Sequence, residues 1–241
     1  MTTYQPDLFS SVSWGAIQKP TEIAEFRLVS AILDGTFPRQ SVLPGERDLA
    51  EMLGITRPTL REVLQRLARD GWLEIHQGKP TRVCDFWTEG RLGVLDALAD
   101  HLPKLPEDLI PNLLKVRVAI APNYTKAAVE LAQGDVLQLL EPRYQLKPLP
   151  EKFTHFDWHL QHQLAILGGN PIFVMILNSF KELFFQCAPY YFSIMDAQRH
   201  SMQYYHALAE VVQENDAKKA AHLTGIVMQE SLDFWKKIKL S

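Results

Sequence analysis

Apolar residues recur at helical spacing from Pro20 onward: Ile23, Phe26, Leu28, Val29 and Ile32 return near a 3.6-residue period until Gly35 interrupts it. Pro20 suits the first turn of such a helix, where its missing N–H goes unused. A loop with Pro38 and Pro44 follows. Glu46 to Leu53 then sets Leu49, Met52 and Leu53 on one side before Gly54 ends a second, short helix. Thr56 is placed to cap a third helix with Pro58 in its first turn and a stripe of Leu60, Val63, Leu64 and Leu67 reaching to Asp70. Trp72 to Ile75 reads as a strand, Gln77-Gly78-Lys79-Pro80 as a turn and Thr81 to Cys84 as a returning strand. Three helices and a hairpin, with about three residues between the second and third helices, form the order of a winged helix-turn-helix.

From Phe86 no further hairpin signal occurs. A linker helix is expected from Arg91 to His101, and further helices over about 107–121, 123–133, 135–141, 151–167, 171–187, 196–214 and 216–238. Gly169-Asn170-Pro171 is the sharpest break, because glycine closes one helix, asparagine caps the next and proline fits its first position. The predicted fold is therefore mainly α. It comprises an arm without clear periodicity over 1–19, a winged helix-turn-helix over 20–85, a linker helix over 86–105 and an all-α bundle over 106–241.

Composition narrows what such a chain does. Its 241 residues are 46% hydrophobic and 22% charged, an ordinary globular balance with enough apolar material for two cores. The net charge of −3 means that any grip on nucleic acid must come from a local basic face. Cys84 and Cys187 are far apart and read as free thiols, and neither a secretory leader nor a spanning apolar run is evident, so a cytoplasmic protein without membrane association is expected. No G-x-S-x-G, G-x-G-x-x-G, P-loop or H-E-x-x-H pattern occurs, which argues against an enzyme.

The first third carries the chemistry of DNA reading. Arg47 opens the second helix, Arg57, Thr59 and Arg61 cluster in the first turns of the third, and Lys79 stands beside Gly78 at the wing tip. Arginine pairs bidentately with guanine O6 and N7, and a helix N-terminus favours phosphate. The same residues also suit the solvated face of an amphipathic helix, given Glu62, Asp70 and Glu74 nearby. The sequence resemblance favours the first reading. Leu-Pro-Gly-Glu-Arg-Asp-Leu-Ala from Leu43 to Ala50, the run from Thr56 to Leu73, and Gly78-Lys79-Pro80-Thr81 closely resemble the GntR family of bacterial transcription regulators, in its fatty-acid-responsive branch. That resemblance implies that Arg47, Thr56, Arg57, Thr59 and Arg61 meet DNA in and beside the major groove, with Gln77, Gly78 and Lys79 of the wing at the minor groove. Two departures stand out. Pro58 stands where the branch has threonine, and His76-Gln77 reverses its usual order, which implies a shifted operator preference.

In the remainder, Phe180, Phe184, Tyr191, Tyr205 and Trp235 suit either a packed core or the walls of a lipid-like ligand site, and periodicity does not separate the two. The resemblance implies an effector site for long-chain acyl-CoA that includes Arg117, Tyr191, Tyr205, Met228, Ser231 and Trp235, with Arg117 suited to the coenzyme A phosphates. Val227 and Met228 replace the branch's tyrosine and glycine, which narrows or reshapes that site. His155, His159 and His162, at i, i+4 and i+7, look like a metal constellation, yet spacing of this kind is weak evidence. Many relatives hold a metal and an organic acid through one aspartate and three histidines. Here the aspartate would be Asp157, while Gln161, Tyr205 and about Val227 occupy the histidine positions, so no metal and no cofactor are expected. The resemblance implies a homodimer joined through the bundle on a palindromic operator, which represses fatty-acid degradation genes, activates synthesis genes and leaves DNA when acyl-CoA binds. The alternative is a GntR regulator that responds to another small organic acid, with a metal.

Overall fold

The computed structural model describes residues 19–238, so all of the arm expected over 1–19 except Lys19 lies outside the described residues. The chain forms two compact units that divide between Arg91 and Leu92.

The first unit contains α1 (Pro20–Leu33), α2 (Glu46–Leu53), α3 (Arg57–Asp70) and an antiparallel hairpin of β1 (Leu73–Glu74) and β2 (Arg82–Val83), with Leu73 opposite Val83. Its core joins Leu28, Val29 and Ile32 of α1 to Leu49 of α2 and Leu60, Val63, Leu64 and Leu67 of α3. Each of these buried side chains contributes about 2 kcal/mol of transfer free energy. The inward stripe of α1 is carried by Ala24, Leu28 and Ile32 at i, i+4 spacing, which leaves Ile23 and Phe26 exposed rather than in the core. In α2 it is Leu49 and Ala50 that point inward, and Met52 is exposed.

The hairpin ladder is shorter than the strands expected over Trp72–Ile75 and Thr81–Cys84. Trp72 is wholly buried against Phe86, with ring centroids 4.6 Å apart, and Ile75 is exposed. A pairing not expected from sequence compensates. Val83 N donates to Ser41 O at 2.8 Å and Leu43 N to Thr81 O at 2.8 Å, so the loop before α2 forms the far border of β2. Residues beyond 85 also belong to this unit. Arg82 reaches Glu74, Gln40 and Glu89 at 2.6, 2.7 and 2.6 Å, and Arg91 N donates to Asp70 O at 2.9 Å.

The second unit is helical among the described residues: α4 (Val94–Ala99), a 3-10 turn at Leu102–Lys104, α5 (Leu109–Leu140), a second 3-10 turn at Glu141–Gln145, α6 (Pro150–Leu167), α7 (Pro171–Asn178), α8 (Lys181–Phe192), α9 (Met195–Gln213) and α10 (Ala217–Ile238). The linker helix contracts to α4 and its following turn. The three helices expected between 107 and 141 are one long α5. It runs through Pro122, whose ring packs toward Gly225 of α10, and it breaks helical geometry only at Ala132, with φ −148° and ψ 49°. The helix expected over 171–187 instead ends at Ser179 and restarts at Lys181, so that Phe180 turns into the interior. Asn170 caps α7 as expected, accepting from Ile172 N at 3.0 Å. Packing of α5 on α10 and α6 organises the core around Tyr124, Leu140, Leu160, Leu164, Tyr205 and Leu208, all wholly buried. Among the described residues no helix is long and apolar enough to cross a membrane.

Candidate nucleic-acid interface and effector cavity

Thr56 caps α3 from an extended conformation. Its Oγ1 accepts from Thr59 N at 3.3 Å and lies 2.8 Å from Thr59 Oγ1, so both threonine hydroxyls are tied to the start of the helix. That leaves Arg57 and Arg61 exposed on its first two turns. Pro58 occupies the first turn without loss of a helical hydrogen bond. Arg47, in the first turn of α2, bonds Asp48 through Nε at 3.0 Å, and Arg61 bonds Glu46 through Nε at 2.8 Å. Arg57 and Lys79 have no ion pair among the described residues.

The wing turns at Gly78, whose φ of +72° is a conformation that favours glycine, and Gln77, Gly78 and Lys79 are all exposed there. An added Cβ at Gly78 would meet nothing within 4 Å, so the turn rather than crowding requires the glycine. Between wing and recognition helix lies an open groove of about 710 Å3, bordered by Glu46, Arg61, Gln65, Gln77 and Lys79. Of the residues expected at the DNA face from the wing and α3, Thr56, Arg57, Arg61, Gln77, Gly78 and Lys79 are exposed, Thr59 is half-buried, and Arg61, Gln77, Gly78 and Lys79 stand at the rim of the one groove. Glu46, which shapes that rim, was not singled out from sequence.

The second unit holds a partly open cavity of about 90 Å3, far smaller than the groove and mostly apolar. Arg117, Tyr191, Met228, Ser231 and Trp235 line it together with Phe180, Phe184 and Cys187. Tyr205 does not. It lies wholly buried outside the lining, and its hydroxyl donates to Asp157 Oδ1 at 3.0 Å. Arg117 Nη2 bonds Asp157 Oδ2 at 3.2 Å, and the guanidinium carbon sits 5.7 Å from the Phe184 ring centroid. Burial opposes the Arg117 charge, but the Asp157 carboxylate outweighs it and the guanidinium is held above its ordinary range.

Around this pair lies a polar layer that the sequence reading did not foresee as a unit. Tyr124 donates to Gln161 Oε1 at 2.7 Å, and Tyr204 meets Thr224 Oγ1 at 3.1 Å. Burial pushes Tyr204 up to about 12, and raises Tyr124 and Tyr205 as well, so all three phenols stay neutral. Asp157 and Gln161 stand four residues apart on α6, a polar pair within an apolar stripe, which is the one signal that could have found the layer. The Trp235 indole N–H and the Tyr191 hydroxyl are buried at the cavity; among the described residues the indole has no hydrogen-bond partner, and the phenol stands beside Ser231 without a well-formed bond. Burial raises the Tyr191 phenol, an effect that Ser231 partly offsets, although the Ser231 hydroxyl itself donates to Val227 O at 2.8 Å.

Two of the three histidines are occupied elsewhere. His155 packs on Phe185, while His162 stacks on Trp158 and bonds Asn178 Oδ1 at 2.9 Å. No group of His, Cys, Asp and Glu side chains among the described residues is arranged to hold a metal ion.

Residues 20–83 match the model of "Bacterial regulatory proteins, gntR family", and residues 84–241 match that of the "FadR C-terminal domain". The chain belongs to the GntR family. It is a DNA-binding transcription regulator and not an enzyme, with a FadR-type second domain following in sequence. Among curated GntR relatives, a "Fatty acid metabolism regulator protein" of Shewanella denitrificans is 43% identical over 186 residues, covering 77% of this chain and 78% of that one. A protein of the same name from Shewanella baltica is 42% identical over 194 residues, 80% of this chain and 82% of its own. The solved structure of Lar from Listeria monocytogenes aligns with a TM-score of 0.56 at 16% identity, over 91% of this chain and 98% of that one, and speaks for the fold alone.

Proposed function

We propose that this GntR regulator controls genes of fatty acid metabolism as a homodimer, with long-chain acyl-CoA as its effector. Two copies related by a two-fold axis present two α3 helices to a palindromic operator, Arg47, Arg57 and Arg61 meet base edges and phosphates, and Lys79 follows the minor groove. The bundle supplies the dimer contact. Bound across promoters of degradation genes the dimer represses, and upstream of synthesis genes it activates. The protein acts in the cytoplasm, where acyl-CoA is made and consumed.

The observation that carries the effector reading is the chemistry of the cavity: apolar walls with two buried donors, Trp235 Nε1 without a partner among the described residues and Tyr191 OH beside Ser231, and one cation, Arg117. An acyl thioester matches that set, since its chain suits the walls and its carbonyl accepts from the donors. Arg117 has one nitrogen on Asp157 and two others to offer the coenzyme A phosphates. The cavity of about 90 Å3 is below the roughly 150 Å3 that holds a benzene, so a long chain enters only when the helices part. That parting is the source of the coupling to DNA, because a ligand moves an equilibrium only by binding one state better.

The test is a fluorescence anisotropy titration on the palindrome selected from random duplexes, with acyl-CoA, matched free acid and coenzyme A added in turn. Acyl-CoA is expected to release the DNA and the other two to do so weakly. Absence of binding by acyl-CoA in calorimetry would leave the reading head standing and remove the effector.

A further inference from the structure

The reading head carries carboxylates where a phosphate-binding surface is expected to be free of them. Glu46 and Asp48 both lie in the first turn of α2, and each bonds the Nε edge of an exposed arginine, Arg61 and Arg47 respectively. The pairs are solvated, with Arg61 67% and Glu46 44% exposed, so they add little to stability. Their consequence is geometric and electrostatic. With Nε occupied, Arg61 keeps its two terminal Nη groups for an incoming acceptor pair, an end-on approach that suits guanine O6 and N7. The same carboxylate stands at the rim of the groove bordered by the wing and Arg61. It repels any backbone that approaches without supplying such a pair.

We infer that Glu46 is a specificity-determining residue of the reading head, a positioning residue that turns Arg61 toward base edges and penalises contact through phosphate alone. On non-specific DNA the gain from Arg61 is offset by the Glu46 charge. On the operator, the bidentate base contact is made with Nε still held, so the offset is overcome. In a chain of net charge −3, the head thus has low affinity for arbitrary duplex by construction, rather than by lack of cations. The inference rests on the proposal that Arg61 meets DNA.

The experiment compares wild type, Glu46→Gln, Glu46→Asp and Arg61→Ala on the selected palindrome and on a scrambled duplex of equal length, across a range of salt. Glu46→Gln removes the charge at an exposed position and keeps an amide for the bond, so folding is retained and is checked by thermal unfolding. It is expected to raise affinity for the scrambled duplex about fivefold, the effect of one unit charge near 4 Å in water. The salt slope on that duplex should steepen by about one as Arg61 turns to a phosphate, and the ratio of operator to scrambled affinity should fall. Glu46→Asp keeps the charge with a shorter reach, and should keep affinity for the scrambled duplex low while losing operator affinity. An unchanged ratio in Glu46→Gln, or a Glu46→Asp protein that takes scrambled duplex as readily as Glu46→Gln, overturns the inference. An Arg61→Ala protein with full operator affinity overturns the reading of the head instead.

Discussion

Thr56 joins stability to recognition within one side chain. Its Oγ1 satisfies a backbone donor at the start of α3 and also holds the Thr59 hydroxyl, so the helix end proposed to meet DNA depends on it. Thr56→Ala is therefore expected to cost about 1 kcal/mol of stability, the usual loss of a cap, and in the same protein to weaken operator binding. A urea titration with a shifted midpoint and an unchanged slope checks the first part, and anisotropy the second. A second residue-level expectation concerns pH. The Arg82 guanidinium, the Asp85 N–H and Gln40 hold Glu89 at about 2, below its ordinary value of 4.5. The folded state then binds this proton less tightly than the unfolded chain. The stability Glu89 contributes is complete above pH 4.5 and is lost as pH falls toward 2. Thermal midpoints measured through that window should fall for wild type, and less steeply for Glu89→Gln, which has no proton to gain.

At the scale of elements, short-range signals were legible and long-range ones were not. The caps at Thr56 and Asn170, the stop at Gly54 and the bounds of α1 to α3 follow from residue types acting on their own backbone neighbours. What escaped depends on partners far along the chain. Pro122 reads as a helix break, yet α5 continues through it, with its ring lying beside Gly225 of α10. Met52 and Phe26 read as core, but their helices turn other residues inward. The candidate DNA face was readable because its side chains come from contiguous motifs. The polar layer around Asp157 was not, since it joins residues of α5, α6, α9 and α10. The same contrast makes Gly71 a sharp test of the junction after α3. Its φ is +90°, and an added Cβ would lie 2.9 Å from Gly90 Cα and 3.1 Å from Glu89 O, all backbone. Gly71→Ala is expected to cost about 2–4 kcal/mol, combining left-handed strain with overpacking. Chemical unfolding of that variant checks it, and a loss below about 0.5 kcal/mol, the scale of an inconsequential surface change, would show that the segment after β2 is not held against α3.

For the whole molecule, the small cavity and the large effector proposed for it together set how sensing would run. A cavity of about 90 Å3 lies below the 300–1,000 Å3 of ordinary ligand pockets, so on the proposed reading the bundle described here and an acyl-bound bundle are different states. If the open state is the minor one, the apparent dissociation constant is the intrinsic one divided by its population. Met228 is the residue through which that population is most directly altered. It is 4% exposed on α10, lines the cavity and packs against the core. Met228→Ala removes its bulk and favours α-helix equally well. The expected result is a trade: the protein loses about 2–5 kcal/mol of stability, as buried large-to-small changes do, and binds long-chain acyl-CoA more tightly and faster, because less of the opening remains to be done. Linkage adds a constraint that tightens the test. The factor by which acyl-CoA weakens operator binding must equal the factor by which operator weakens acyl-CoA binding, in wild type and variant alike. Stopped-flow measurement of acyl-CoA association should show a rate that levels off with ligand concentration in wild type and levels off at a higher value in Met228→Ala. A variant that is less stable but binds neither more tightly nor faster would mean that the cavity is core, and that the effector enters the second unit elsewhere.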